Sequence, residues 1–184
     1  MPEIIPNLHP LMVHFPIAPI SVSAFFHVAS MANRGKTYAV HCAVLAHGTL
    51  WLGALAAIFA VYFGWQAFNS VNHDEAGHAA MLVHRAWALG TAAVLVILAG
   101  LDAWRNKVDD PPALWFSAAV IGAWSLVAVT AWYGGELVYR HGLGVLSLPA
   151  AEAGHEQRHE LSGTEHPREG RMISETAPHG VHEH

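Results

Sequence analysis

The chain reads as an all-α integral membrane protein, an up-down four-helix bundle with a disordered His/Glu-rich C-terminal tail. Three observations predict this. Of 184 residues, 53% are hydrophobic and only 12% charged, against about 25% charged in an ordinary soluble domain. Apolar residues collect in four segments, about 8–32, 39–68, 80–101 and 113–139, each able to supply the roughly 20 residues of a membrane-crossing helix. Polar residues are segregated. Residues 1–149 hold six Lys/Arg and seven Asp/Glu, nearly all between the apolar runs, while residues 150–184 hold three Arg, seven Glu and six His with no aromatic ring of Phe, Trp or Tyr. The first part is a four-helix transmembrane domain. The second has too little apolar surface to offset the entropy of ordering it and reads as a flexible hydrophilic tail.

The first span opens Leu8-His9-Pro10-Leu11-Met12-Val13-His14-Phe15-Pro16. Pro10 suits a first helical turn. Pro16 and Pro19 lie deeper and predict a break following His14, because proline removes a backbone donor and frees a carbonyl. Asn33-Arg34-Gly35-Lys36 is a loop. The second span is long enough to tilt or to extend past the bilayer. A loop from Asn69 to Ala79 leads to the third span, and Asp109-Asp110-Pro111-Pro112 marks a stop and restart before the fourth. Trp65, Trp87 and Trp132 lie toward one interface, Trp104 and Trp115 toward the other.

Arg34, Lys36, Arg105 and Lys107 occupy the two loops of one side. The positive-inside rule then places both termini in the periplasm, with the chain in a bacterial inner membrane. No cleavable leader is expected, since Met1 to Asn7 has no Lys or Arg and no small-residue exit follows. The single Cys42 excludes an internal disulfide and a Cys-x-x-Cys-His haem attachment. A net charge of −5, mostly from the tail, argues against a nucleic-acid partner.

Nine of fifteen histidines lie in or beside the spans. Imidazole is costly in hydrocarbon unless something binds it. Up-down topology gathers His9, His14, His73, His78, His84 and His141 on the outer face, and leaves His27, His41 and His47 toward the inner one. Spans one and three are diagonal in a sequential bundle, so His14 and His84 are expected to clamp the iron of a b-type haem. His9 and His141 are then supporting groups or an alternative pair. Gly134 and Gly135 leave room for a flat ring or a close helix, and Arg85 and Arg140 can meet haem propionates or simply anchor at the interface. A second haem on His27 and His47 is the further expectation, since His14 and His27 stand about 20 Å apart along the axis, although about 140° apart around it.

The opening His9-Pro10 with Val13-His14-Phe15-Pro16-Ile17-Ala18, and the closing Gly134-Gly135-Glu136-Leu137-Val138-Tyr139-Arg140-His141-Gly142-x-Gly144-Val145, resemble the bacterial membrane-protein family termed domain of unknown function 2231. His84 holds a place similar to that family's third-helix histidine. The resemblance covers about residues 7–146 and implies a four-helix membrane bundle without a settled activity. His27, His41, His47 and the tail lie outside its pattern.

Three functions are open at this point. The leading one is a membrane b-type cytochrome or haem-bearing subunit with one haem or two, moving electrons between the quinone pool and a periplasmic carrier or other redox subunits. The second is transition-metal binding or delivery by His9, His73, His78 and His141 with the histidine-rich tail. The third is a cofactor-free structural subunit. A catalyst in its own right is disfavoured, because no nucleophile–base pairing is readable and Asp74-Glu75 reads as a solvated acidic pair.

Overall fold

Proline sets the first feature of the fold. The structure is a computed structural model that describes residues 8–71, 74–105 and 112–143. Its first span is two helices, α1 (His9–Met12) and α2 (His14–Ala32), divided at Val13. Pro16 has no N–H for the Met12 carbonyl, and its ring crowds that carbonyl, so the regular helix is interrupted at the next residue. The break therefore precedes His14, where the proline spacing predicts it to follow; Val13 keeps near-helical angles and the interruption is slight.

Three long helices follow: α3 (Tyr38–Ser70), α4 (Glu75–Arg105) and α5 (Leu114–His141). With His9–Ala32 they make four helices long and apolar enough to cross a membrane, and no strand occurs among the described residues. The all-α membrane bundle expected from composition is what forms. Its third span is longer at both ends than the apolar run suggests, Glu75 to Arg105 in place of 80–101. The expected loop Asn69–Ala79 shrinks accordingly, because α3 runs to Ser70 and α4 restarts at Glu75. The cause of the early start is Asp74, whose Oδ1 accepts the Gly77 N–H at 2.7 Å, with Glu75 in the first turn. This is an N-cap on the positive end of the helix dipole. Asp74→Ala should cost about 1 kcal/mol and speed amide exchange at residues 75–78; exchange as slow as wild type there would refute the cap.

Buried positions in each span advance by alternating fours and threes. On α2 they run Pro16, Ile20, Ser23, His27, Ser30; on α3, Ala39, Ala43, Ala46, Leu50, Gly53, Ala57, Ala60. On α4, Leu95, Leu98 and Asp102 continue the pattern, and on α5, Phe116, Val120, Ala123 and Val127 do so. A 3.5-residue repeat keeps one seam facing inward along a left-handed bundle. The small residues on α3 let α2 approach closely; at Gly53 an added Cβ would overlap Ile20 Cδ1 and lie 2.6 Å from its Cγ1. Ile20, Leu50, Leu95, Phe116 and Val120 form the centre of the core.

The helices pack in a ring: α2 against α3 and α5, α4 against α3 and α5. The first and third spans are therefore diagonal, as are the second and fourth. Thr91 and Thr130 join α4 to α5 through their hydroxyls at 2.8 Å, and Arg34 Nη2 donates to the Pro112 carbonyl at 2.7 Å, tying the first connection to the entry of α5. His73, Lys107, Asp109 to Pro111, Gly144, Val145 and the tail 150–184 lie outside the described residues.

Candidate functional site

Two pairs of imidazoles form inside the bundle, one toward each end. The pair at the end expected to face outward, called the outer pair, is His9 with His84. Their ring centroids are 6.2 Å apart and the planes are inclined at 68°. His9 comes from α1 and His84 from α4, so the pair spans the diagonal. Each ring rests on a glycine. A Cβ at Gly64 would come within 2.9 Å of His9 Cε1, and one at Gly134 within 3.2 Å of His84 Cε1. The arrangement repeats in part. His9 Nδ1 lies 3.1 Å from the Ala60 carbonyl, four residues before Gly64, and the Thr130 carbonyl, four residues before Gly134, lies beside the His84 ring. A glycine at that offset leaves the outer side of the carbonyl uncovered. His84 Nδ1 is buried without a hydrogen-bond partner among the described residues.

The diagonal expectation thus assembles with a different first-span histidine. His14 is exposed, and the ring against His84 is that of His9. The seam explains the exchange. Counting back from Pro16 by three and then four lands on Val13 and His9 and passes over His14. Of the supporting groups, Gly134 touches a ring while Gly135 meets only Tyr139, at 4.0 Å. Arg85 places its guanidinium over Phe68 at 4.7 Å and Trp65 at 5.7 Å. Arg140 reaches Glu136 at 3.3 Å on an exposed face. His78 packs its ring against Phe68, His41 is exposed, and His141 ends α5, half-buried. Among the described residues no three His, Cys, Asp or Glu side chains converge as a metal cage.

The inner pair is His27 with His47, the two residues expected to serve a second cofactor. Their centroids are 5.8 Å apart with planes at 74°, and Phe116 packs on His27 at 5.8 Å. Both are almost wholly buried, 0% and 4% exposed. His27 Nδ1–H donates to the Ser23 carbonyl at 2.9 Å. The Ser23 hydroxyl donates to the Ala46 carbonyl at 2.8 Å, locking α2 to α3 beside the ring. His47 Nδ1–H donates to Asp102 Oδ2 at 2.8 Å, and Trp51 Nε1–H donates to the same oxygen at 3.0 Å. Nε2 of both rings is buried without a hydrogen-bond partner among the described residues.

Asp102, Trp51, Ser23 and Gly64 were not legible as site residues from the apolar runs. An ionisable side chain within a span is the signal that finds Asp102, but a third span ended at 101 leaves it in the loop.

A protein-family model described as "Predicted membrane protein (DUF2231)" matches residues 5–147. The chain belongs to this family. The DUF2231 region contains both imidazole pairs and all four spans, in keeping with a multi-pass membrane protein in contact with lipid. Neither a curated protein nor a solved structure matches the chain.

Proposed function

We propose that this DUF2231 protein is a small membrane electron-transfer protein, or the haem-bearing subunit of a redox complex, in which His9 and His84 hold a b-type haem near the outer face. The observation that carries the reading is the 6.2 Å separation of two diagonally opposed, glycine-seated imidazoles. Two imidazoles on opposite sides of one metal atom, with bonds of about 2.0–2.1 Å, put their centroids about 6 Å apart. A flat group is favoured by the surroundings on two helices. On α3 beyond Ala60 and on α5 beyond Val127 no described residue is fully buried, while α4 keeps Gly77 and Met81 buried, so the bundle is more open on the α3 and α5 sides at the level of Gly64 and Gly134. Such a haem would supply one-electron transfer, and two protein ligands leave the iron no open position for oxygen chemistry. The chain's own contribution is orientation. The Ala60 backbone carbonyl fixes the His9 ring, and the two glycines seat both rings. Quinone or a periplasmic carrier would be the exchange partner.

Protein purified from a haem-replete host should contain one b haem per outer pair by pyridine haemochrome, with a six-coordinate low-spin redox spectrum. His9→Ala and His84→Ala should each lose the haem or convert it to high spin, while His14→Ala should keep it. Haem-free protein, or haem indifferent to both substitutions, would end the reading. A second reading has its own support in the His9–Ala60 contact, which joins α1 to α3 without any cofactor. There His9 is an interhelical hydrogen-bond donor worth about 0.6 kcal/mol in a membrane, His84 packs against it, and the same substitutions change stability with no haem ever present.

A further inference from the structure

We infer that His27 and His47 form a buried site for a single copper(I) ion, with Asp102 supplying the compensating charge and the orientation of His47. The argument starts from protons. The Nδ1 positions of both rings face acceptors, the Ser23 carbonyl and the Asp102 carboxylate, so each Nδ1 carries the hydrogen. In the neutral imidazole Nε2 is then a bare lone pair. Two such lone pairs, on touching rings 0% and 4% exposed, have no donor among the described residues. Buried polar atoms without partners are uncommon in native proteins and call for an explanation. A histidine whose Nδ1–H is held by a carboxylate or a backbone carbonyl is the usual form of a metal ligand bonding through Nε2. Here one ring has each kind of partner.

Charge points the same way. Asp102 is 7% exposed inside a membrane helix, and its described partners are two N–H groups, from His47 and Trp51. Trp51 is neutral, and His47 is positive only when Nε2 is protonated as well, which would leave that N–H a buried donor without an acceptor among the described residues. A lone carboxylate in that setting needs a cation. One monovalent ion on the two Nε2 atoms would fill both lone pairs and balance Asp102 at once.

Geometry and donor count select the ion. A hydrogen bond of about 2.9 Å between the two Nε2 atoms would bring the centroids to about 5 Å. Metal bonds of about 2.0 Å place them at up to about 6 Å, and less when the angle at the metal bends. The observed 5.8 Å leaves room for a bridging ion and is also an ordinary spacing for two packed rings, so it is the two unpartnered Nε2 atoms that call for the ion. Structural zinc takes four ligands, and no third His, Cys, Asp or Glu joins this pair among the described residues. Two imidazoles and no more is a donor set that suits low-coordinate copper(I), for which ligand type and geometry set selectivity. The site is independent of the outer pair and stands whether or not that pair holds haem.

The test uses the full chain in detergent, stripped of metal, titrated anaerobically with copper(I) in competition with bathocuproine disulfonate. One ion per chain should be retained, with X-ray absorption showing imidazole nitrogen and no sulfur around it. His27→Gln and His47→Gln should each remove it. Asp102→Asn should weaken it by about 10–100-fold, as loss of a ligand's outer partner does. His9→Ala and His84→Ala should leave it unchanged. Copper retained in both glutamine variants would place it on other histidines and overturn the proposal, as would uptake of none by the wild type. If the glutamine variants fail to fold, the Asp102→Asn affinity and the wild-type absorption spectrum decide. Sulfur ligation, or an affinity unmoved by Asp102→Asn, overturns the site.

Discussion

Gly53→Ala should destabilise the bundle by about 1–3 kcal/mol, the range for forcing an extra methyl into a closed core. The direction is informative because helix propensity points the other way. At an open helical position alanine is favoured over glycine by about 1 kcal/mol. Gly48, Gly90, Gly100 and Gly122 have nothing within 4 Å of an added Cβ and should be neutral or stabilised by the same change. At Gly53 the methyl would meet Ile20 Cδ1 and Cγ1 and approach the Ile20 backbone nitrogen at 3.4 Å. Ile20 is fully buried and, being β-branched on a helix, has essentially one χ1 rotamer, so it cannot swing clear. Unfolding by SDS in mixed micelles reads the loss. Ile20→Ala in the same chain should recover part of it, giving a coupling of about 0.5–3 kcal/mol between the two sites. Additive effects, or a Gly53→Ala protein as stable as the Gly90→Ala control, would show that α2 and α3 do not meet at this point.

On the proposed haem reading, Gly134→Leu should abolish haem retention at the outer pair, whereas Gly135→Ala should leave it at the wild-type level. The two glycines are adjacent and indistinguishable in sequence. Only the first faces the His84 ring, at 3.2 Å from an added Cβ. A leucine there must push the imidazole off its seat and change its distance from His9. The haem content of the two variants, purified side by side, is the measurement. Gly64→Leu repeats the test from the other side of the pair, through His9. Equal haem in Gly134→Leu and Gly135→Ala would remove the glycine seat from the account, and with it the main support for His84 as an axial ligand.

The four spans, their order and the all-α class follow from hydropathy, because moving apolar side chains into hydrocarbon depends on composition and length alone. The diagonal relation of spans one and three is legible too, since short connections force sequential neighbours. The seam becomes visible only with the burial pattern. Fours and threes counted through Pro16, Ile20, Ser23 and His27 show that His9 faces inward and His14 does not. What apolar runs do not carry is rotation about the helix axis and the last turns at each helix end. Rotation exchanged His14 for His9, since each residue turns the helix by about 100°. The helix ends concealed Asp102 and displaced the start of α4 to Glu75, because the apolar run stops before the helix itself does.

From its sequence alone this chain was bound to be a helical membrane bundle with several imidazoles confined to it. Packing decided which rings meet. His9 reached His84 and His27 reached His47 because small residues let the helix backbones approach, and contact between residues far apart in sequence depends on that approach. The Asp102 carboxylate beside His47 is of the same kind: it exists only once α3 and α4 are side by side.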